Sequence, residues 1–486
     1  VERLAVLVGA GAPAGLDGGN WLAFGRDLLG PDVRSPSIVY PPLVPLATTA
    51  AVAAFGPVWG TGLVAALASL APGVATWLVL RAANVGWPAV LLAGLVVVAS
   101  TSGEPAAWGG YPQLLGGGLG LLFLAALDRA LRDGSRSRSL LAGLLLAATL
   151  ATSHLAAAVA GMAAAALVLG HLLWVRPRPA PAPAPALLAV MAWVALPALP
   201  LVPLYVRLVA AVTASLTGVD RTDTLRLGDL PDDLGVLFPD VPAVWIALLL
   251  AGLVVVLLLV DRRHTPLWLV ATASMVGTLV PAALAGERRF LYLLPPAAAL
   301  AVGLWVWDLG QLPDAFARRA RTAAVAALAG ALAVQAVAGV SEFRHQRDFY
   351  GVVTPGLLEA LDWLRRETPP GSVVAVSPVR DWPLGWWVEG LGRRPTLPAS
   401  SLQWFYFEDE RRRARLANEI FGLSFPSAEG LATARRHGAD YALVATAWLG
   451  YSEAALAAVR STDPGVVAFA NPSAVVLRTA EQPPQG

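Results

Sequence analysis

The sequence predicts a mainly α, polytopic membrane protein with about eleven transmembrane helices and a C-terminal extracytoplasmic α/β domain. Three observations predict it. The 486-residue chain is 56% hydrophobic and only 14% charged, and its mean hydropathy of +0.62 lies far above that of a soluble protein. Apolar runs of about 17–25 residues, long enough to cross ~30 Å of hydrocarbon, recur up to residue 341. Beyond residue 342 no such run occurs, and Glu, Asp, Arg and Tyr become frequent. A transmembrane domain (1–341) is therefore followed by a soluble domain (342–486).

In chain order the spans are expected at 59–81, 86–102, 111–131, 139–154, 155–175, 186–208, 243–260, 267–286, 290–309 and 323–341, preceded by a stub at 1–16. The stub's apolar run, Leu4 to Ala12, is shorter than a span, and a truncated first helix is expected there. The segment 41–57 is apolar but opens with Pro41 and Pro42, and is expected to be a helix lying on the bilayer surface.

Arginine sets the orientation. One set of loops carries Arg81; Arg132, Arg136 and Arg138; Arg176 and Arg178; Arg262 and Arg263; and Arg318, Arg319 and Arg321. The other set is acidic or mixed: 17–40 with Asp17, Asp27 and Asp32, 103–110 with Glu104, and 209–242 with six Asp. The first set is expected on the cytoplasmic side. The alternation holds only if 41–57 does not cross, and it leaves 342–486 outside a multi-pass cell-membrane protein. The Pro-alternating "RPRPAPAPAP" (176–185) reads as a stiff cytoplasmic connector.

In the soluble domain, 354–371 reads as a helix begun by Thr354 and Pro355 and stopped by Pro369 and Gly371. Strands are expected at 372–377, 441–446, 465–470 and 474–479, and a helix at 426–438. The charged stretch 407–421 reads as a solvated helix with acid and base at i, i+4 spacing, Glu408 and Arg412.

Composition also excludes. A net charge of +2 with no dominant basic block argues against nucleic acid as a partner. The basic residues are all Arg, which with the abundant Ala, Gly and Pro reads as genomic base composition. There is no Cys, so disulfides, thiol catalysis and Cys-bound metal are ruled out.

Four features crowd the expected extracytoplasmic ends of the spans: Asp17 after the first, Glu104 in "STSGEPAAWGGYP", His154 in "LATSHL", and Glu287, Arg288 and Arg289 in "AGERRFLYLLPP". Ionisable groups at membrane depth are costly and tend to face a cavity. Two carboxylates and a His can deprotonate an acceptor hydroxyl or hold a divalent cation, so Asp17, Glu104 and His154 are the candidate ligands for Mg or Mn. Guanidinium binds oxyanions bidentately, which suits Arg288 and Arg289 to a lipid phosphate. Plainer roles remain beside these: Asp17 as the N-cap of a helix starting near Asn20, His154 as a structural turn residue, the arginines as interfacial anchors. "DWPLGWWVEGLGRRPTL" (381–397) supplies Trp386 and Trp387 with flat faces suited to sugar rings, while Glu389, Arg393 and Arg394 suit polar head groups; here the plain alternative is a lid packed on the membrane surface.

In layout the chain resembles the C-type (GT-C) glycosyltransferases, which use polyprenyl-phosphate-linked sugars. The resemblance rests on an acid after the first span (Asp17), an amphipathic segment with the turn "YPPL" (Tyr40 to Leu43), a second acid in the next external loop (Glu104), and basic residues at a later helix end (Arg288, Arg289). It extends to the external soluble domain and resembles bacterial and archaeal members related, distantly, to the oligosaccharyltransferase catalytic subunits. Their "WWDYG" motif is matched at Trp386, Trp387 and Gly390 but has Val388 and Glu389 in place of Asp and Tyr, so recognition of a peptide acceptor does not carry over. The resemblance implies sugar transfer to a glycan, lipid or protein acceptor among membrane lipids. Asp17 would be the base, Glu104 its assistant, Arg288 and Arg289 the donor-phosphate ligands, and Trp386, Trp387 and Glu389 the acceptor contacts. Two rivals stand against this: a non-catalytic scaffold in envelope glycan assembly, and a lipid or sugar transporter. Transport is opposed by the lack of an internal repeat and by charges gathered at one surface instead of mid-depth.

Overall fold

The computed structural model describes residues 2–30, 40–100, 103–174, 183–203, 206, 265–285, 288–310, 315–405, 407–422 and 425–479. The acidic loop 209–242, the span 243–260, most of the connector 176–185, the end of the loop 17–40, and Glu287 lie outside the described residues.

The first domain is helical: α1 (Glu2–Val8), α2 (Gly18–Leu29), α3 (Leu43–Arg81), α4 (Trp87–Ala99), α5 (Gly103–Trp108), α6 (Tyr111–Asp133), α7 (Arg136–Thr152), α8 (His154–Trp174), α9 (Pro183–Ala198), α10 (Thr265–Ala285), α11 (Pro295–Gly310) and α12 (Ala315–Phe349). Among the described residues four helical stretches are long and apolar enough to cross a membrane, namely Leu43–Arg81, Tyr111–Asp133, His154–Leu173 and Val325–Phe349. Three shorter apolar ones are Trp87–Val98, Pro185–Leu201 and Pro266–Ala282. Large apolar side chains such as Leu67, Trp77, Leu91, Leu141 and Leu172 are exposed on the outside of the bundle. An apolar exterior around an apolar core is the pattern of a bundle whose solvent is lipid.

Two helix breaks follow from sequence. The expected surface helix 41–57 and the span 59–81 form one run, α3, but the run kinks at Gly56 (φ 77°, ψ 172°), and Pro57 follows. Glycine tolerates that positive φ, and proline fits the first turn of the second half. Between α7 and α8 the chain extends at Ser153 (φ −153°, ψ 125°), whose Oγ accepts the Ala156 N–H at 3.2 Å and so caps α8.

At the Arg-rich end of the bundle, buried Asp128 on α6 accepts from Arg132 at 2.7 Å and meets His171 Nε2 of α8 at 2.9 Å. A buried carboxylate is tolerable only when partnered in this way.

The C-terminal domain, expected to be soluble, runs α13 (Pro355–Glu367), β1 (Val374–Val376), β2 (Thr396–Pro398), α14 (Glu408–Phe421), α15 (Ala428–Arg436), β3 (Tyr441–Ala445), α16 (Glu453–Thr462), β4 (Val467–Asn471) and β5 (Ala474–Arg478). The sheet order is β2-β1-β3-β5-β4. β1 pairs parallel with β2 and β3, and β5 pairs antiparallel with β3 and β4. One face packs under α13 through Leu357, Leu361 and Leu364; the other packs under α14 and α15 through Ala417, Phe421 and Ala434. Thr354 Oγ1 accepts the Leu357 N–H at 3.2 Å and starts α13, as its sequence position predicts. The strand β2 is an addition to the expected four. Its three residues end in Pro398, a residue that sequence patterns assign to edges and turns.

Between β1 and β2 lies the helical turn Gly385–Trp387, continued by a π turn Val388–Gly392. This segment docks the soluble domain on α2.

Candidate active site

The loop between α1 and α2 is held from two sides. The N–H groups of Leu16 and Asp17 both donate to Trp108 O at 2.9 Å. Trp21 Nε1 donates to Gly109 O at 2.6 Å, and Tyr111 OH to Ala14 O at 3.3 Å. On the other side Trp387 Nε1 of the soluble domain donates to Gly15 O at 3.0 Å. Two glycines make the approach possible. Gly109 has φ +109°, and a Cβ on it would lie 2.8 Å from that of Asp17. A Cβ on Gly19 would lie 2.7 Å from the Trp387 backbone. Any larger side chain at either place would force the segments apart.

Asp17 occupies the N-cap position of α2, yet its backbone is helical (φ −81°, ψ −6°) and its carboxylate makes no capping hydrogen bond. The plain capping role is therefore not the one this side chain plays. It is half-buried. Loss of water around it pushes its pKa up to about 7, and the Arg289 guanidinium pulls in the opposite direction. Arg288 and Arg289 open the 3-10 turn Arg288–Leu293, which leads into α11.

Glu104, at the start of α5, is clamped. Tyr292 OH donates to its Oε2 and Tyr350 OH to its Oε1, both at 2.9 Å. Tyr292 comes from the same turn as Arg289, and its ring lies 6.4 Å from that of Trp108. Glu104 thus ties the arginine turn, α5 and the end of α12 together. These two tyrosines are functional candidates that sequence reasoning missed. Their one signal is position, since Tyr292 stands three residues after the Arg pair and Tyr350 lies nine residues beyond the last expected span, at the end of α12.

His154 lies at the same end of the bundle. Its ring meets Tyr40 edge-on at 5.8 Å, and Tyr40 in turn packs on Trp21 at 4.6 Å. The "YPPL" turn therefore reaches the site through an aromatic cluster. Among the described residues no three His, Asp or Glu side chains gather as a metal-binding group, and both Glu104 oxygens are held by tyrosines. Asp17, Glu104 and His154 accordingly do not fit a shared three-ligand centre for Mg or Mn, and no step below passes through a metal.

The expected acceptor contacts, Trp386, Trp387 and Glu389, are packed or hydrogen-bonded within the protein. Trp387 is 0% exposed and Trp386 is 9% exposed. Both are packed in a core shared with Ala12, Leu16 and Leu22, and Trp387 clasps the Asp17 loop. Glu389 Oε1 accepts from Thr396 Oγ1 at 2.8 Å and from Arg413 at 3.0 Å. Arg394 is likewise turned inward, donating to Thr368 Oγ1 at 2.7 Å and to Arg365 O at 3.0 Å.

No protein-family model matches the chain, and no curated protein matches it. Solved structures do. ArnT from Cupriavidus metallidurans in the apo state superposes with a TM-score of 0.55 at 14% identity, covering 98% of this chain and 96% of that one. The same protein bound to undecaprenyl phosphate gives 0.56 at 14% identity, covering 99% and 96%. The apo oligosaccharyltransferase of Archaeoglobus fulgidus gives 0.52 at 12% identity, covering 89% of this chain and 66% of that one. The chain shares the overall fold of these structures.

Proposed function

We propose that this chain is a membrane glycosyltransferase that moves a sugar from a polyprenyl-phosphate-linked donor to an extracytoplasmic acceptor, with inversion. The observation that carries the proposal is Asp17, a carboxylate at a helix start that caps nothing, has a pKa near neutrality and faces the field of Arg289. A base with a pKa near the working pH combines a useful ionised fraction with real proton affinity. Asp17 takes the proton of the acceptor hydroxyl. The freed oxygen attacks the anomeric carbon, the bond from that carbon to the phosphate oxygen breaks, and polyprenyl phosphate leaves. Arg289, with Arg288 beside it, stabilises the phosphate charge as it develops. Glu104 acts indirectly, through Tyr292, by fixing the turn that presents Arg289. Undecaprenyl phosphate bound to the similarly folded ArnT supports a polyprenyl lipid as the donor's carrier.

Two tests follow. Arg288→Ala/Arg289→Ala is expected to weaken use of the polyprenyl-phosphate sugar by about 2–5 kcal/mol, the scale for truncating one member of a desolvated charge pair. Unchanged donor binding in the double variant removes the arginines from the site. The second test concerns sidedness. Leu449 is 99% exposed at the tip of the soluble domain, and the chain has no Cys. Leu449→Cys should react with an impermeant maleimide on intact cells, as the Arg asymmetry of the loops requires. Labelling only after the cells are broken open reverses the topology and puts Asp17 on the wrong side for an external acceptor.

A further inference from the structure

A polar cavity lies away from Asp17. It has a volume of about 690 Å³ and is lined by α2, the first half of α3, α13 and the π turn Val388–Gly392 with its neighbour Arg393. Arg26 is nine residues along α2 from Asp17, roughly 13 Å at the helical rise of 1.5 Å per residue, and Asp17 does not line the cavity.

Its lining has two halves. Val52, Ala53 and Pro57 of α3 form an apolar wall, joined by Leu391. Just beyond, Phe55 and Trp59 are 59% and 56% exposed on the same helix, so the wall continues into lipid-facing surface. Opposite stand three arginines, Arg26, Arg365 and Arg393. The carboxylates nearby are largely compensated already: Asp362 pairs with Arg365 and Arg366, and Glu389 pairs with Arg413. Asp27 is the third acid of the lining. Arg26 Nη1 is buried and has no hydrogen-bond partner among the described residues. Loss of water around Arg26, and then the charges of Arg393 and Arg365, bring its pKa down to about 10. A buried guanidinium nitrogen with no acceptor, next to further like charge, is costly and is relieved by an anion.

We infer that this cavity binds an anionic amphiphile, its phosphate held by Arg26 and Arg393 and its hydrocarbon laid along Val52, Ala53 and Pro57. Bidentate guanidinium contacts suit a phosphate monoester, and the apolar wall leads the chain out to the bilayer. The site is independent of sugar transfer and can be occupied whether or not the chain is an enzyme.

Direct binding to the purified full-length protein tests it. Fluorescent phosphatidic acid is compared with phosphatidylcholine of the same chains in detergent micelles, with inorganic phosphate as competitor. Phosphatidic acid should bind at least tenfold more tightly than phosphatidylcholine, and Arg26→Gln/Arg393→Gln should lose at least tenfold of that binding. Arg412→Gln, an exposed change elsewhere on the soluble domain, should lose none. Arg393→Gln alone, on an exposed side chain, should weaken binding severalfold with an unchanged melting curve, which separates ligand loss from misfolding. Equal binding by the double variant and the parent overturns the site. Displacement of the lipid by inorganic phosphate at equal concentration overturns the amphiphile and leaves a free-phosphate site.

Discussion

Replacing Asp17 by Asn is expected to lower sugar transfer about 100-fold or more, the contribution of a positioned general base, while the protein folds and binds donor as before. The substitution is nearly isosteric and changes only the proton-accepting group. It does not disturb the backbone bonds from Leu16 and Asp17 to Trp108 O, because those use main-chain N–H groups. It removes no cap, because the Asp17 side chain makes none. The pH dependence gives an independent check. The folded pKa of about 7 is above the ordinary carboxylate value of 3.8, so the folded protein holds this proton through the interval from about 4 to 7 while the unfolded chain releases it. Protonation there favours the fold and blocks the base, so stability from this group declines, and activity climbs, as the pH rises through about 7. The parent's rate should show a single rising limb centred there, and Asp17→Asn should lose the limb along with the rate. An Asn variant with near-parental rate would deny Asp17 the role of base, and an unchanged pH limb in a slow variant would assign the titration to another group.

Sequence reasoning reached the elements more readily than it reached the contacts. Apolar length is a local property, so α4, α6, α7, α8 and α10 fall close to their expected bounds, and the break at Ser153 was visible as a polar "TSH" between two apolar runs. The strands β3 and β5 likewise follow from short β-branched runs bounded by turn residues. Asp17, Glu104, His154 and Arg289 were all singled out from position alone, and the structure brings them to one end of the bundle. What each side chain does there was not legible. Whether Asp17 caps α2 depends on a backbone angle at the loop. That Glu104 is shared between Tyr292 and Tyr350 depends on pairing across 188 and 246 residues. The packing of the tryptophans is illegible in the sequence for a similar reason. A Trp pair in a glycine-rich stretch has the same pattern whether its faces meet a sugar or another domain, and only the opposing Gly18 and Gly19 decide it.

That opposition makes Trp387 the side chain whose loss should cost most in stability. Trp387→Ala is expected to destabilise the docked soluble domain by about 3–5 kcal/mol, the range for emptying a buried aromatic site. The ring is fully buried. It packs so closely on α2 that a Cβ placed on Gly18 would lie 2.8 Å from it, so α2 offers no side chain at Gly18 to fill the space. The truncation also leaves Gly15 O without its donor at 3.0 Å, a further penalty of about 1–3 kcal/mol if water does not reach it. Trp387→Phe separates the two effects. It keeps a smaller aromatic ring and removes the N–H, so the thermal transition should fall by less than for Trp387→Ala, while the Gly15–Asp17 loop loses the hydrogen bond on one of its two sides. If that loop positions the base, kcat should drop several-fold with donor binding unchanged, because a carboxylate free to wander spends less time at the acceptor proton. Loss of both kcat and donor binding in Trp387→Phe would mean the clasp supports the whole site without specifically positioning Asp17. A Trp387→Ala protein that melts and turns over like the parent would show that the soluble domain does not hold the loop at all.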